Sequence, residues 1–538
     1  GFDPLAEGIF VNSLRVKNAA GMLVSTGNVS EYYVLDDQSS DTASQKKVLH
    51  IPVSGLQPGY SVELITTREY SGRSEEFPFL QTVLSRGIPV RETVLFLRGD
   101  TGAVRFASSP TIEPRALAGG LFWRLQEPLV YRWEPLQPIL EDYLPTVWVA
   151  DKSTLWPDLA TNYLAGIRDR TGLPATEREW ARSRSKSCTN AEQKIAAVGQ
   201  YVQTNYTYKA IEFGRRARVP TRLTDTVRNR YGDCKDHALL AQQLLIEAGL
   251  RASLALVNTR SLIRQELPSL DQFNHMIVFV PGDDGGFLDC TDKSQKLGGV
   301  PLGLAGCDAL VLDEKLTRFV RIPEYERTAS RVEAARIVGI TNQTDAAVSE
   351  TLTFHGVSCA YLRSYLANVP ASARRSYVVG LLGPNAELNE LVIEHLEEPG
   401  LPLVLRLGYT LKNQFHSIGR ELVGTLPVAM EQQYLAAGSV ENRLTPFQFP
   451  SPLAFESTTV LNVPAGLRAK FAPRDDVKNR FLSCGFDGEQ QAGSFTSRFR
   501  VFRAGGRHGA AEYPEFCASM NRTLAMLTQK LVLEPLPK

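Results

Sequence analysis

One cysteine, one histidine and one aspartate in the middle of this 538-residue chain have the types and the order that acyl-transfer chemistry uses. Cys234 stands at the start of a predicted helix, where free backbone N–H groups and the positive end of the helix dipole favour a thiolate. A thiolate is the form of cysteine that attacks an acyl carbon. His275 and Asp289 follow later in the chain, and an imidazole held by a carboxylate is the base that such a nucleophile needs.

The helix that carries Cys234 is the clearest in the sequence and is predicted over residues 233–248. Asp233 is a good N-cap, and Gly249 suits the position just after the helix. Gly232 allows the tight turn that leads into it. The small and apolar residues recur at helical spacing and share one face: Cys234, Ala238, Ala241, Leu245 and Ala248.

Three strands are predicted after this helix, over residues 252–257, 275–280 and 286–290. His275 opens the second strand, and Asp289 lies within the third. Neighbouring strands are about 4.8 Å apart, and this separation suits a hydrogen bond between an imidazole and a carboxylate. A helix N-terminus packed on the strand pair would complete the arrangement with a thiol.

Two other residues are alternatives for these roles. Asp292 could replace Asp289 as the carboxylate, although strand alternation favours Asp289, because Thr291 would share its face while Asp292 points away. His237 lies one turn after Cys234 and is an alternative base. His237 lies on the same helix as Cys234, however, and no second structural element would orient its imidazole.

Short motifs in this region carry a resemblance to a known family. Residues 232–236 read GDCKD, Asn274 and His275 open an apolar strand, and Asp289 lies in the motif LDCTD. This order resembles the transglutaminase-like superfamily, whose members have a papain-like fold. More narrowly, the chain is similar to bacterial multidomain proteins in which such a core follows an uncharacterised β-domain (DUF3857) and precedes another domain. The motif LQPGY at residues 56–60 belongs to the same resemblance.

The resemblance implies that Cys234 is the nucleophile, His275 the general base and acid, and Asp289 the carboxylate that orients the imidazole. One departure is Cys290, because the family often has proline after the aspartate, and this puts a second thiol near the site. The backbone N–H of Cys234 is one candidate oxyanion donor, and Tyr208 or a tryptophan is another.

The pattern of elements and the resemblance together predict an α+β multidomain protein. We expect residues 1–150 to form an N-terminal β-sandwich of the DUF3857 type and residues 151–325 the papain-like, transglutaminase-like α+β core. Residues 326–538 are expected to form a C-terminal, mainly β domain. The chain starts with Gly1 and the resemblance begins partway into the β-domain, so we expect that a segment upstream has been removed.

Composition limits the class of partner. The chain has 59 Lys and Arg against 58 Asp and Glu, a net charge of +1, so it has no overall electrostatic attraction to nucleic acid or an anionic membrane. No apolar run approaches the ~18–20 residues of a membrane-spanning helix. Seven cysteines are too few for a disulfide framework, no zinc-type spacing occurs, and we expect neither a metal nor a cofactor.

We therefore expect a cysteine hydrolase or acyltransferase that acts on peptide or glutamine amides through a thioester. Its partner would be a protein or peptide substrate, and the resemblance implies a bacterial periplasmic or cell-surface location. The identity of the substrate and the oligomeric state stay open. The alternative class is a non-catalytic binding or scaffold protein that uses its flanking β-domains.

A basic run, formed by Arg215, Arg216 and Arg218, is expected in a surface loop or at a cleft rim that recognises carboxylates.

Overall fold

The architecture is a mixed α and β, multidomain one, with strands along its whole length. In the part of the chain that the structure describes, the first α-helix begins at Trp156. No helix in that part combines the length and the apolar character needed to cross a membrane. The structure is a computed structural model and describes residues 1–4, 7–37, 46–70, 79–210, 218–283, 285–295, 299–342, 344–435, 442–471 and 476–537.

The first part of the chain consists of short antiparallel sheets. Its strands are β1 Glu7–Lys17, β2 Leu23–Thr26, β3 Tyr33–Asp36, β4 Lys47–His50, β5 Ser61–Tyr70, β6 Leu80–Val83, β7 Glu92–Arg98, β8 Val104–Ser109, β9 Arg115–Leu117, β10 Gly120–Gln126 and β11 Thr146–Asp151. They form three three-stranded sheets, in the orders β2-β1-β5, β7-β10-β9 and β6-β11-β8, and β3 pairs with β4.

Two of these sheets pack against each other around a tryptophan. Trp123 of β10 is fully buried and shares a core with Val147 and Val149 of β11, with Leu95 of β7 packed against them. Burying an aromatic side chain of this size removes a large apolar area from water, and its truncation to alanine typically costs about 3–5 kcal/mol. Trp123 is therefore the main anchor of this part of the fold.

The middle of the chain places helices against a five-stranded sheet. Its helices are α1 Trp156–Ile167, α2 Ala175–Lys186, α3 Ala191–Asn205, α4 Leu223–Asn229 and α5 Cys234–Glu247. Its strands are β12 Thr207–Tyr208, β13 Tyr231–Gly232, β14 Ser253–Val257, β15 His275–Val280, β16 Gly286–Leu288, β17 Asp308–Val311 and β18 Arg318–Arg321. The sheet order is β16-β15-β14-β17-β18, every neighbouring pair is antiparallel, and β12 pairs separately with β13 in parallel.

Helix α5 lies at the centre of this middle part. Its side chains Leu239, Leu240, Leu244 and Leu245 are fully buried in one core with residues of the other helices and of the sheet. A helix that is apolar around most of its circumference is one that the fold covers on several sides. Because α5 packs against β15, its first residue, Cys234, has a fixed position relative to the strand that His275 begins.

The last part of the chain is mainly β. Its strands are β19 Ser330–Thr341, β20 Asp345–His355, β21 Ala386–Glu394, β22 Leu403–Leu411, β23 Phe415–Ile418, β24 Glu421–Gly424, β25 Phe447–Phe449, β26 Leu453–Asn462, β27 Leu467–Lys470, β28 Val477–Lys478, β29 Leu482–Gln491, β30 Ser494–Arg503, β31 Gly506–His508 and β32 Leu531–Pro535. Its helices are α6 Gly356–Ala367, α7 Ala371–Leu382, α8 Ala429–Leu435 and α9 Tyr513–Leu527.

An eight-stranded sheet organises this last part, in the order β21-β22-β20-β19-β26-β30-β29-β28. The central pair, β19 and β26, is parallel. A buried ion-pair cluster joins this sheet to α8: Arg336 of β19 donates from Nε to Glu350 at 2.7 Å and from Nη2 to Glu431 at 2.9 Å. All three side chains are almost completely buried, so removal of one partner would leave an uncompensated charge in the core.

Two contacts tie the first part of the chain to the last. Glu134 is buried and accepts hydrogen bonds from the backbone N–H groups of Leu444 at 3.0 Å and Thr445 at 2.8 Å. Arg507 lies 3.4 Å from the carboxylate of Asp142. The last part of the chain therefore contacts the first part directly, although the middle part separates the two in sequence.

Several predicted elements are confirmed, and others differ at their ends. The helix predicted at 233–248 is Cys234–Glu247. The strands predicted at 252–257 and 275–280 are Ser253–Val257 and His275–Val280, whereas the strand predicted at 286–290 ends at Leu288.

Candidate active site

The first turn of α5 is closed by two aspartates. The carboxylate of Asp233 accepts from the N–H groups of Lys235 at 3.0 Å and Asp236 at 3.4 Å, and Asp236 in turn accepts from the Asp233 N–H at 3.1 Å. This reciprocal capping box satisfies backbone groups that an uncapped helix would leave unpaired. Cys234 is the first helical residue, and its own N–H has no acceptor among the residues that the structure describes.

His275 and Asp289 meet at one end of the β15–β16 pair. The last paired residues at that end are Val278 and Leu288, and Asp289 directly follows β16. His275 Nε2 lies 2.7 Å from Asp289 Oδ2, a distance typical of a charge-assisted hydrogen bond. The two side chains predicted on neighbouring strands are therefore in direct contact.

Thr291 holds the other oxygen of the Asp289 carboxylate. Asp289 Oδ1 accepts from the Thr291 N–H at 2.9 Å and from the Thr291 hydroxyl at 2.7 Å. Burial raises the pKa of Asp289, but His275 and Thr291 lower it by more, so this carboxyl is ionised. The alternative carboxylate, Asp292, instead accepts from the N–H of Ser294 at 2.7 Å. The structure thus brings Asp289 rather than Asp292 to the imidazole.

The thiol of Cys234 lies beside the imidazole of His275. Because Asp289 occupies Nε2, Nδ1 is the imidazole nitrogen left for Cys234. Burial lowers the pKa of His275, but the charge and hydrogen bond of Asp289, together with the contact to Cys234, raise it to about 10. At neutral pH the imidazole is therefore protonated and lies between a sulfur and a carboxylate.

The alternative base, His237, and the second thiol, Cys290, belong to the surrounding core. His237 Nδ1 lies 3.4 Å from the carbonyl oxygen of Cys290, and its ring meets Tyr208 edge-on with centroids 5.8 Å apart. Burial lowers the pKa of His237, so its imidazole is neutral. Burial and the charge of Asp289 raise the pKa of the Cys290 thiol well above its usual value. Cys234 and Cys290 are both free thiols.

Tyr163 of α1 is a residue beside the site that the sequence analysis missed. Burial raises its pKa, and so does its electrostatic interaction with Cys234, Asp233 and Asp236 at the first turn of α5. Its hydroxyl donates to the carbonyl oxygen of Arg218 at 2.9 Å. No local pattern in the sequence connects Tyr163 to a helix that begins so much later.

The basic run is only partly within the described residues. Arg215 and Arg216 lie outside them, whereas Arg218 forms an ion pair with Asp271. Among the residues that are described, no group of three His, Cys, Asp or Glu side chains could hold a metal ion. A thiol, a protonated imidazole and a carboxylate thus lie together at the start of α5, and these are the groups that covalent acyl transfer would use.

The fold as a whole has a counterpart among solved structures. A protein from Parabacteroides distasonis, described as a "putative protease", matches with a TM-score of 0.63 and 13% identity over 99% of this chain and 90% of that one. A "putative cysteine protease" from Cytophaga hutchinsonii is 15% identical and covers 40% of this chain and 79% of that one, with a TM-score of 0.18. No protein-family model and no curated protein matches the sequence. The first comparison shows a shared fold along nearly the whole chain.

Proposed function

We propose that this protein is a cysteine-dependent hydrolase or acyltransferase of the transglutaminase-like class, with Cys234, His275 and Asp289 as its catalytic triad. The observation that carries the proposal is the 2.7 Å contact between His275 Nε2 and Asp289 Oδ2, with the Cys234 thiol beside the same imidazole. The fold shared with a protein described as a "putative protease" supports the same class.

In the proposed reaction, Cys234 Sγ bonds to the carbonyl carbon of a peptide or glutamine amide. His275 gives its Nδ1 proton to the departing amine, and a thioester remains on the enzyme. Water or a second amine then attacks the thioester, His275 accepts the proton of that nucleophile, and the sulfur leaves as a thiolate. Asp289 keeps the imidazolium oriented throughout. The uncommitted N–H of Cys234 is the proposed donor to the oxyanion.

The domain boundaries, the substrate class and the cellular location belong to the same proposal. We retain residues 1–150, 151–325 and 326–538 as the N-terminal DUF3857-type, catalytic and C-terminal domains. Strand β11, which ends the first set of sheets at Asp151, and strand β19, which begins at Ser330, are compatible with these boundaries. A protein or peptide substrate and a bacterial periplasmic or cell-surface location rest on the family resemblance.

Thiol alkylation at neutral pH tests the proposal directly. Each cysteine is alkylated with iodoacetamide, and its rate is read by mass spectrometry. Cys234 and Cys290 are both only 3% exposed, so Cys290 is a matched internal control for access. We expect Cys234 to react at least about tenfold faster than Cys290, because only Cys234 has an imidazolium partner that stabilises the thiolate. His275→Ala is expected to remove this difference.

Asp292→Asn serves as the control variant, because Asp292 lies near the triad but bonds to Ser294 instead of His275. It should leave the rate at Cys234 unchanged. Equal and slow reaction of Cys234 and Cys290 in the wild-type protein would contradict the proposal and favour the scaffold alternative, which requires no activated thiol.

A further inference from the structure

A cavity in the last part of the chain has no role in the proposed reaction. It has a volume of about 280 Å³ and lies between α6, α7, α8 and the end of β30. Four tyrosines form much of its wall: Tyr361, Tyr365, Tyr377 and Tyr434. Its volume is close to the lower end of the ~300–1,000 Å³ found for small-molecule sites, so it suits a small ligand.

Arg503 is the charged side chain among the described residues that line this cavity. Within the described part of the chain no carboxylate pairs with it, and its Nε is buried without a hydrogen-bond partner. Burial lowers the pKa of Arg503 to about 10, as expected for a guanidinium removed from water. The ring of Phe449 lies 4.0 Å from the guanidinium carbon and offers only a cation–π contact. A cation in this setting lacks the anion that would balance its desolvation.

The tyrosines of the wall differ in their exposure to solvent. Tyr361 and Tyr365 lie one turn apart on α6 and are 46% and 45% exposed. The ring of Tyr365 lies 4.7 Å, centroid to centroid, from that of Tyr377. Deeper in the wall, the ring of Tyr434 packs against Phe455 at 5.8 Å. Large rings that a fold leaves half exposed around a concave site are typical of ligand contact surfaces.

The helices that form the wall are anchored independently of any ligand. Arg336 bonds to Glu431 and fixes α8 on the sheet. Arg363 of α6 donates to the carbonyl oxygens of Ser294 at 3.1 Å and Leu401 at 2.6 Å. A cavity between anchored helices is already formed in the free protein, so binding would cost little ordering entropy.

We propose that this cavity binds a small carboxylate whose body is apolar or a flat ring. The guanidinium of Arg503 matches a carboxylate through two parallel hydrogen bonds, a geometry that few other side chains offer. The tyrosine rings then cover the body of the ligand. The site takes no residue from the proposed triad.

Titration calorimetry with matched pairs of probes tests this proposal on the full chain. The carboxylates are benzoate, N-acetyl-phenylalanine and N-acetyl-leucine, and the neutral controls are the corresponding amides. We expect at least one carboxylate to bind at least about tenfold more tightly than its amide, because a charge-assisted hydrogen bond forms only with the anion. Failure of all three carboxylates to bind the wild-type protein overturns the proposal.

Two variants separate a ligand-binding role of Arg503 from a structural one. Arg503→Met should abolish the preference for carboxylate without lowering the thermal midpoint of the free protein, because it removes an unpaired, partly buried cation. Arg500→Met on the same strand removes an exposed arginine paired with Asp487 at 2.9 Å and should leave binding unchanged.

If Arg503→Met does not fold, Tyr365→Ala tests the proposal instead, with an expected loss of about three- to tenfold in affinity. Unchanged binding in a folded Arg503→Met protein, or in Tyr365→Ala, overturns the proposal.

Discussion

Gly232 lies directly against the side chain of Asp236 at the start of α5. A Cβ atom on Gly232 would stand 2.4 Å from Asp236 Cβ and 2.8 Å from its Oδ2, closer than side-chain atoms approach one another. Gly232 pairs with Tyr208 in the β12–β13 ladder, while Asp236 accepts from the N–H groups of Asp233 and Thr221. The absence of a side chain at residue 232 thus allows the capping box that positions Cys234.

Gly232→Ala is therefore expected to lower the free energy of unfolding by about 1–3 kcal/mol, since the added methyl group overpacks a rigid turn. Urea unfolding measures this change, and alkylation of Cys234 should slow in parallel. Gly166→Ala in α1 is the control, because no atom lies within 4 Å of the added methyl group. That helical substitution should be neutral or stabilise by up to about 1 kcal/mol. A Gly232→Ala protein with wild-type stability would show that the turn can relax.

Asp289→Asn is expected to slow thioester formation at Cys234 by at least about 100-fold. An amide lacks the charge that stabilises the imidazolium, and it can hold the imidazole in the wrong tautomer. The rate is measured in a single turnover with an activated ester, with the acyl-enzyme detected by mass spectrometry. Asp292→Asn makes the same chemical change nearby, and similar losses in the two variants would argue against Asp289 as the orienting residue.

The contact between His275 and Asp289 should make stability depend on pH. In the folded protein the pKa of His275 is raised from 6.5 to about 10, chiefly by Asp289 against the opposing effect of burial. Its contribution to stability is complete below pH 6.5 and is lost as the pH rises toward 10, with a slope of at most about 1.4 kcal/mol per pH unit.

Urea unfolding of Cys234→Ala and of Cys234→Ala/His275→Gln measures this contribution without thiol chemistry. The difference between the two free energies of unfolding should shrink between pH 6.5 and 10. A difference that stays constant over this range would mean that His275 is not protonated in the folded state.

Glu134→Ala is expected to destabilise the protein by about 2–4 kcal/mol. The substitution leaves the N–H groups of Leu444 and Thr445 without an acceptor in a buried contact, and it also removes the carboxylate near Arg443. Thermal unfolding measures the loss, and limited proteolysis shows whether the first and last parts separate. Glu113 is exposed, so Glu113→Ala should behave as wild type. If the two variants were equally stable, the contact of Glu134 with Leu444 and Thr445 would make no contribution to stability.

The first turn of α5 and the start of β15 could be predicted because their signals are local. An aspartate before an apolar periodic run indicates a helix start, and Cys234 follows Asp233 directly. The structure places Asp289 rather than Asp292 against His275, although both residues follow the end of β16, where strand alternation no longer applies. The catalytic roles themselves stay predictions, because geometry alone does not measure reactivity.

Contacts between distant segments could not be predicted in the same way. Tyr163 approaches α5 from another helix, and Glu134 meets Thr445 across most of the chain, and no periodic pattern encodes either approach. The third predicted strand also ends early, at Leu288. Asp289 bonds to the N–H of Thr291 and forms an Asx-type turn that competes with strand pairing.

The contact between Glu134 and Thr445 also has a consequence for biosynthesis. The two residues are 311 positions apart, and a ribosome adds about 5–20 residues per second, so Thr445 is made roughly 15–60 s after Glu134. During that interval the carboxylate lacks its partners from the last part of the chain, and the surface that it later closes stays open on the nascent chain. Completion of the first part therefore waits for translation of the last, and chaperones have that time in which to engage it.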